Sequence, residues 1–177
     1  MNFLVGGNIA LRGLEPDDAS EAYLAWLNDQ EVLRYRGPKA FPTTMSALVQ
    51  WIESLPARGD LVLAIITNAD GKHVGNIALN SIMWPHGSAE LSILIGDKNA
   101  WGKGVGSEAI TLLTMHAFKS MGLRRIWAES PNPAFNRIVE NLGWHKEGIK
   151  RQALLVDGIH SDITCWSILR EEANLSP

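Results

Sequence analysis

The segment that most constrains the fold is a glycine-rich turn at residues 100–109, which reads AWGKGVGSEA. It follows an apolar run at residues 91–95 and opens a helical pattern that continues to about residue 121. Glycine has no Cβ, so the backbone turns tightly and approaches a ligand closely there. The first N–H groups of a helix lack partners within the helix and lie at the positive end of its dipole. We therefore predict a strand, a turn and a helix whose start binds phosphate.

Two familiar phosphate-binding motifs do not fit the spacing of these glycines. A P-loop places Lys and then Ser or Thr directly after its second glycine, whereas Lys103 here precedes Gly104. A dinucleotide-binding fingerprint needs Gly-x-Gly-x-x-Gly near the start of a βαβ unit, with an acidic residue about 20 positions later. The glycines at positions 102, 104 and 106 lie past the middle of this chain. A nucleotide-binding protein is kept only as an alternative, which binding of ATP or NAD would support.

The composition is that of a globular protein, and we predict a single domain over residues 1–177. Hydrophobic residues make up 46% of the chain, the net charge is −3, and Lys and Arg form no block. That balance argues against a nucleic-acid partner. The single cysteine, Cys165, excludes an internal disulfide, and the histidines show no metal-ligand spacing. Because no apolar run approaches the roughly 18 residues of a membrane span, we expect a cytoplasmic protein with no membrane partner and no metal.

The predicted elements follow the order β, two or three α, then βββαβαββ. This order indicates a mixed α+β fold, with a twisted sheet of about seven strands flanked by helices. Turn signals at residues 68–71 and at Asp157-Gly158 join two pairs of strands as hairpins. Helices are expected from residue 15, at residues 30–35, after Thr43 or Thr44, after the glycine turn, and at residues 134–142. The predicted strands are residues 9–14, 61–67, 74–80, 89–96, 124–130, 144–155 and 161–169.

The glycine turn resembles the acyl-CoA pyrophosphate loop of the GNAT superfamily of N-acetyltransferases, whose core reads Gln/Arg-x-x-Gly-x-Gly/Ala. Trp101 stands where that core has Gln or Arg. Short motifs in the same order along most of the chain are similar to those of the RimJ/RimL-like branch. They are WLND at residues 26–29, VGNI at 74–77, AEL at 89–91, NPA at 132–134, ENLGW at 140–144, EGIKR at 147–151 and DGIHSD at 157–162.

The resemblance implies a GNAT fold with a mostly antiparallel sheet, and an enzyme that transfers acetyl from acetyl-CoA to a primary amine by direct attack in a ternary complex. The strand before the turn would separate from its neighbour and pair with the pantetheine amides. An N–H of Leu94 or Ile95 would stabilise the oxyanion. Asn132 would contact the pantetheine arm, the alternative being a turn residue between two prolines. The residues implied for the donor are Ile93, Leu94, Ile95, Trp101, Gly102, Lys103, Gly104, Val105, Gly106, Ser107 and Asn132.

Glu90 is the main catalytic candidate. In the alternating pattern of its strand it shares a face with Ser92, opposite Leu91. A carboxylate on a central strand is costly to bury unless it is paired or functional, and a general base must take a proton from the attacking amine, directly or through water. The alternative is an exposed or ion-paired acid. Glu129, near the end of the next strand, and His160, after the hairpin turn, are further candidates, each with a solvated side chain as its alternative.

Besides Trp101, two positions depart from the superfamily pattern. Many members have a Tyr general acid four residues before the glycine of the ENLGW-like motif, and here that position is Val139. Phe135 replaces the usual Ser. The CoA thiolate would then take its proton from solvent, or leave unprotonated, since thiols are acidic. Both departures support an alternative from another class, a non-catalytic acyl-CoA-binding module or sensor.

The sequence leaves the acceptor amine open. The resemblance implies a protein N-terminal α-amine, while the same branch contains enzymes that act on polyamines, amino sugars and antibiotic amines. Aromatic faces suit an amine cation or a sugar ring. The residues expected to line the acceptor pocket are Trp26, Tyr35, Trp84 and Asp162. The resemblance also gives a homodimer as an expectation.

Overall fold

The computed structural model describes residues 1–37 and 39–173. The strands are β1 (Leu4–Val5), β2 (Ile9–Gly13), β3 (Leu61–Thr67), β4 (His73–Met83), β5 (Ser88–Ile95), β6 (Arg125–Ser130), β7 (His145–Val156) and β8 (Ile159–Leu169). The helices are α1 (Glu21–Trp26), α2 (Met45–Arg58), α3 (Val105–Lys119) and α4 (Pro133–Asn141). Among the described residues, no helix is both long and apolar enough to cross a membrane.

All eight strands form one sheet in the order β1-β2-β3-β4-β5-β6-β8-β7. Neighbouring strands are antiparallel except β5 and β6, which are parallel and are connected through α3. The predicted mixed α+β fold is confirmed, and the sheet has eight strands where about seven were expected. The additional strand is β1, which is only two residues long and is therefore too short to show an alternating pattern.

The first predicted helix is divided in two. Pro16–Asp18 form a separate 3-10 turn, and α1 begins only after Ser20, whose hydroxyl caps it. Asp18 accepts hydrogen bonds from both terminal nitrogens of Arg12 at 2.6 and 2.7 Å, and from the backbone N–H of Glu15. These bonds hold Asp18 in a turn, so the helical pattern cannot run continuously from residue 15.

The short helix predicted at residues 30–35 is also largely wrong. Turns occupy most of this segment, and only Arg34–Arg36 form a single 3-10 turn. Asp29 explains the difference, because its carboxylate accepts the backbone N–H groups of Glu31 and Val32. A side chain that binds the nearby backbone in this way competes with helix formation.

Helices cover both faces of the sheet. α3 and α4 pack on one face around a large apolar cluster that includes the fully buried Phe118 and also Val74 of β4. His73, the residue before Val74, lies on the opposite face, because the side chains of neighbouring strand residues point to opposite sides. There α1 and α2 form a second cluster, in which Tyr23 and Trp26 contact the His73 ring. The sheet is therefore held between two helical layers, and each layer supplies one side of the site.

The feature that positions the site is an opening between β5 and β6. These strands pair only at Ser88–Arg125, Ala89–Ile126 and Glu90–Trp127. Beyond that point β5 continues against β4 as far as Ile95, and β6 continues against β8 as far as Ser130. The two strands therefore separate after Glu90, which is the separation that the resemblance implies.

Gly96, directly after β5, gives a first testable prediction about this region. A Cβ added there would lie 2.0 to 2.4 Å from three ring atoms of Trp26, a buried member of the second cluster. We expect Gly96→Ala to lower the free energy of unfolding by about 2 kcal/mol through overpacking, measured by urea denaturation. Gly13→Ala is the matched control, since nothing lies within 4 Å of its added Cβ. Equal stability of the two variants would contradict the prediction.

Candidate active site

The backbone of β5 presents alternate residues to the opening. The N–H of Gly96 donates to Val74 O on β4 at 2.9 Å. Successive residues of a strand direct their N–H and C=O groups to opposite edges, so Ile95 and Ile93 direct theirs into the opening. Leu94 directs its N–H toward β4, where it lies opposite Asn76. Of the two N–H groups suggested for the oxyanion, the one of Ile95 therefore faces the opening and the one of Leu94 does not.

Two side chains already hydrogen-bond to the carbonyls that face the opening. Arg36 Nη2 donates to Ile93 O at 2.8 Å, and Trp101 Nε1 donates to Ile95 O at 2.9 Å. Arg36 reaches the opening from the loop between α1 and α2, and Trp101 reaches it from the glycine turn. Both bonds agree with the orientation deduced from the strand alternation.

The glycine turn has the geometry of an anion site. Gly102 and Gly104 have φ values of +71° and +80°, which residues with a side chain rarely adopt. Gly104 precedes α3 and provides no side-chain cap. The first hydrogen bond of the helix runs from the N–H of Glu108 to Gly104 O at 3.0 Å. The N–H groups of residues 105–107 therefore have no partner within the helix, while Lys103 is exposed beside them.

Asn132 has the local role that was its alternative interpretation. Its side-chain oxygen accepts the N–H of Ala134 at 2.9 Å and caps α4, while its own N–H donates to Ser130 Oγ at 3.0 Å. Asn132 follows the last residue of β6, at the edge of the opening. Since the cap uses only the oxygen, the amide NH₂ of Asn132 is still able to donate to the pantetheine arm.

Glu90 lies at the point where β5 and β6 separate. It is half-buried, and its carboxylate makes no hydrogen bond within residues 1–37 and 39–173. Glu129 lies on the same face two residues beyond the Glu90–Trp127 pair, and Lys150 of β7 binds its carboxylate at 2.5 and 2.6 Å. Burial raises the pKa of Glu90, repulsion from Glu129 raises it further, and attraction to Lys150 opposes both. Glu90 thus has the character expected of a base, while Glu129 is engaged in an ion pair.

Cys165 of β8 completes this polar face. Its thiol lies opposite Glu129 in the register and 3.8 Å from the Oε1 atom of that carboxylate. Burial and the negative charge of Glu129 raise the pKa of the Cys165 thiol. A thiol that is harder to ionise is a poorer nucleophile, which agrees with direct attack by the amine rather than with an acyl-enzyme on Cys165.

Lys150 provides a test of the electrostatics around Glu90. Replacing Lys150 with Met removes a cation that lowers the Glu90 pKa, so the acid limb of the pH profile of kcat/KM should move to higher pH. We expect a shift on the order of 0.5 unit, less than the 1–3 units of a direct ion pair. Glu129→Gln should move the limb to lower pH, because it removes a negative charge. Lys146→Met, an exposed change on the same strand, is the control, and identical profiles for all variants would contradict the prediction.

A strap crosses from the helical layer to the β7–β8 hairpin. We define the strap as residues 34–37. Arg34 pairs with Asp157 at the hairpin turn, with nitrogen-to-oxygen distances of 2.6 and 2.7 Å. Leu154 packs against Gly37 so closely that a Cβ there would lie 3.2 Å from Leu154 Cδ1. At the same time the strap contacts β5 through the guanidinium bond described above, so it spans both sides of the opening.

His160 is not brought together with Glu90. Glu90 pairs with Trp127, and Trp127 pairs with Ser167 of β8. His160 lies seven residues from Ser167 along β8, which is about 23 Å of extended strand. It is exposed near the hairpin turn. The hairpin carries His160 beyond the end of β6. No described contact joins it to Glu90, and its suggested catalytic role stays a prediction.

Two of the aromatic residues suggested for the acceptor pocket lie elsewhere. Trp26 is 8% exposed and packs on Gly96, so it belongs to the core. Trp84 is 60% exposed, but it precedes Ser88 at the end of β5 where β5 and β6 remain paired. Neither residue lines the opening, and both suggestions are corrected.

The two other acceptor residues have different outcomes. Tyr35 belongs to the strap, and the Arg34 guanidinium lies 5.5 Å from the centre of its ring, so it remains a candidate beside the opening. Asp162 Oδ1 accepts the N–H of Gln152 at 2.8 Å. Gln152 has a φ of +52° inside an irregularity of β7. Asp162 therefore holds a bulge in the hairpin through Oδ1, and its suggested place in the acceptor pocket stays a prediction.

Sequence reasoning did not find Arg36 or Lys150. Arg36 lies in a loop without periodicity, and its partner is a backbone carbonyl 57 positions away. Lys150 alternates among other polar residues of β7, and only the pairing of β7 with β8 brings it to Glu129. The sequence signal that pointed to Lys150 was Glu129 itself, because a partly buried carboxylate is stable only when a cation or hydrogen-bond donor pairs with it.

The structure also shows where the two residues lie that replace the superfamily's usual Tyr and Ser. Val139 is fully buried in the large apolar cluster, with 0% of its surface exposed, and Phe135 packs against the same cluster. Neither side chain carries a group that donates a proton. Any protonation of a leaving thiolate therefore depends on solvent or on another residue.

Two central strands therefore separate between an anion-binding helix start and a half-buried carboxylate, an arrangement suited to an acyl-CoA-dependent transferase. A model of the acetyltransferase (GNAT) domain matches residues 8–145 of the chain. The uncharacterized N-acetyltransferase p20 of Bacillus licheniformis is 30% identical over 97% of this chain and 98% of its own length. The chain belongs to the GNAT acetyltransferase family and is an acyltransferase.

Two solved structures share the fold. A spermidine N-acetyltransferase from Vibrio cholerae, in complex with CoA and spermine, has a TM-score of 0.83 at 20% identity, over 93% of this chain and 97% of that chain. Mycobacterium smegmatis RimJ, in complex with CoA-disulfide, also has a TM-score of 0.83 at 20% identity, over 95% and 85% of the two chains. At this identity both likenesses concern the fold.

Proposed function

We propose that this chain transfers the acetyl group of acetyl-CoA to the α-amine of a peptide or protein N-terminus, by direct attack in a ternary complex. The observation that carries the proposal is the opening between β5 and β6. It joins the free N–H groups at the start of α3 to the unpaired carboxylate of Glu90. The pyrophosphate would bind residues 105–107, and the pantetheine amides would pair with Ile93 and Ile95.

The acetyl transfer is accounted for in bonds, electrons and protons without an acyl-enzyme intermediate. The lone pair of the neutral amine attacks the thioester carbonyl, whose oxygen would be stabilised by the N–H of Ile95. The new C–N bond forms, the C–S bond breaks, and the sulfur leaves with the electron pair. The proton of the amine passes to Glu90, directly or through a water. Solvent protonates the thiolate, since Val139 offers no acid.

The balance of charge around the opening favours an α-amine over a polyamine. Glu129 is neutralised by Lys150, Asp157 by Arg34, and Asp162 is occupied by a backbone N–H. Of these four acids, Glu90 is the one whose carboxylate has neither a salt bridge nor a hydrogen bond among the described residues. A polyamine carries several ammonium groups and needs several free carboxylates, whereas an α-amine has a pKa near 8 and is deprotonated with little help.

The experiment that tests the proposal is thiol release from acetyl-CoA with a panel of acceptors: N-terminal peptides, spermidine, amino sugars and aminoglycosides. Release with peptides supports the proposal, and release with another class alone replaces the acceptor while keeping the donor. Silence across the panel with acetyl-CoA binding by calorimetry would favour the sensor alternative. Absence of acetyl-CoA binding would overturn the proposal.

A further inference from the structure

Arg36 occupies the place that a donor chain needs. Its Nη2 atom lies 2.8 Å from Ile93 O, where a strand paired with β5 would put its own N–H. A pantetheine amide entering the opening would meet the guanidinium at this carbonyl. Trp101 occupies the neighbouring carbonyl, at Ile95, but it comes from the glycine turn on the donor side. Arg36 comes instead from the loop between α1 and α2.

The guanidinium of Arg36 lacks a fixed anionic partner. Within residues 1–37 and 39–173 no carboxylate forms an ion pair with it. The residue is exposed to solvent, yet desolvation lowers the pKa of its guanidinium. The guanidinium is therefore flanked by protein, while part of the side chain stays open to solvent. Its five donors are largely free for a ligand.

Contacts other than the bond from Arg36 to Ile93 O also hold the strap. Two residues away, Arg34 binds Asp157 through two nitrogens, and Gly37 packs on Leu154. These contacts do not involve β5. Arg36 also belongs to the helical layer on the face toward which Glu90 points, since α1 and α2 lie opposite the large cluster. A released guanidinium would therefore remain tethered near the proposed base.

We propose that Arg36 is a positioning residue that exchanges partners during the reaction: it caps Ile93 O in the free protein, yields this carbonyl to the pantetheine amide, and then binds the carbonyl oxygen next to the acceptor α-amine. The inference rests on the proposed function. It requires acetyl-CoA to bind before the acceptor, and it selects amines with a neighbouring oxygen, because a guanidinium repels a second ammonium.

The test is Arg36→Gln, with Arg34→Gln as the matched control on the same strap. Without Arg36, acetyl-CoA should bind about threefold more tightly in calorimetry, since one competing hydrogen bond is gone. The KM of a peptide acceptor should rise about tenfold from the loss of a charge-assisted hydrogen bond. The KM of a simple alkylamine without a neighbouring oxygen should hardly change. Arg34→Gln should not tighten acetyl-CoA binding.

A purely structural role for Arg36 gives a different result. Weaker or unchanged acetyl-CoA binding in Arg36→Gln, or an equal rise of KM for peptide and alkylamine, would overturn the inference. Arg36→Lys keeps the positive charge but loses the planar, forked guanidinium. Its acetyl-CoA affinity and its KM for the peptide should both fall between those of the wild type and Arg36→Gln. If the wild type itself does not bind acetyl-CoA, the proposed function fails rather than the role of Arg36 alone.

Discussion

Replacing Glu90 with Gln is expected to lower kcat by about 10²- to 10³-fold, while the Kd for acetyl-CoA stays nearly the same. The amide keeps the size of the side chain but cannot take the proton of the attacking amine. The donor contacts proposed here come from the backbone of β5 and from the start of α3, and Glu90 contributes to neither. Steady-state turnover with the best acceptor and calorimetry with acetyl-CoA measure the two quantities separately.

The pH profile and a second variant sharpen this test. Glu90 has a raised pKa and acts in its ionised form, so activity is lost as the pH falls through that pKa. This acid limb should disappear in Glu90→Gln. Glu129→Gln is the control, because the Glu129 carboxylate is bound to Lys150 and should matter less for turnover. Unchanged turnover in Glu90→Gln, or a larger loss in the control, would remove Glu90 from the role of base.

Replacing Ser107 with Glu should weaken acetyl-CoA binding by about 100-fold or more, as charge-assisted hydrogen bonds are lost and repulsion is added. Ser107 is in the first turn of α3, where the N–H groups of residues 105–107 are proposed to bind pyrophosphate. A carboxylate there would bind these N–H groups itself and repel the phosphates. It also interacts favourably with the helix dipole, by roughly 0.3–1 kcal/mol, so the folded protein should not lose stability.

The Ser107→Glu experiment separates a loss of acetyl-CoA affinity from a loss of stability, because we expect only the affinity to fall. Calorimetry with acetyl-CoA measures the affinity, and urea denaturation measures the stability. Ser120→Glu introduces the same chemical change at the other end of α3, about 20 Å away, and should leave acetyl-CoA affinity unchanged. Normal binding in Ser107→Glu would show that the glycine turn does not hold the pyrophosphate.

Local patterns predicted much of the fold correctly. The strand at Leu61–Thr67 and the hairpin turn at Asp157-Gly158 have the predicted positions, and the helix after the glycine turn begins at Val105. In each case the determining interactions lie within a few residues, through alternation, glycine conformation or helix periodicity. Where a side chain reached beyond its own turn, as Asp18 does toward Arg12, the local pattern gave the wrong helix.

The site shows the same division. The prediction that Glu90 lies on a strand, on the face opposite Leu91, followed from alternation, and the structure agrees. The environment of Trp26 did not follow, since helical spacing shows which residues share a face but not what covers that face. Packing on Gly96, 70 positions away, made this residue part of the core.

By itself the sequence determined a strand, a glycine turn and a helix with free N–H groups, because these depend on φ angles and periodicity that neighbouring residues set. It also determined the family, through the order of its motifs. Only the tertiary structure decided at which residue β5 and β6 separate, that Lys150 binds Glu129, and that Arg36 covers a carbonyl in the opening. These contacts join segments distant in the chain, and their partners are chosen by strand order and packing rather than by local preference.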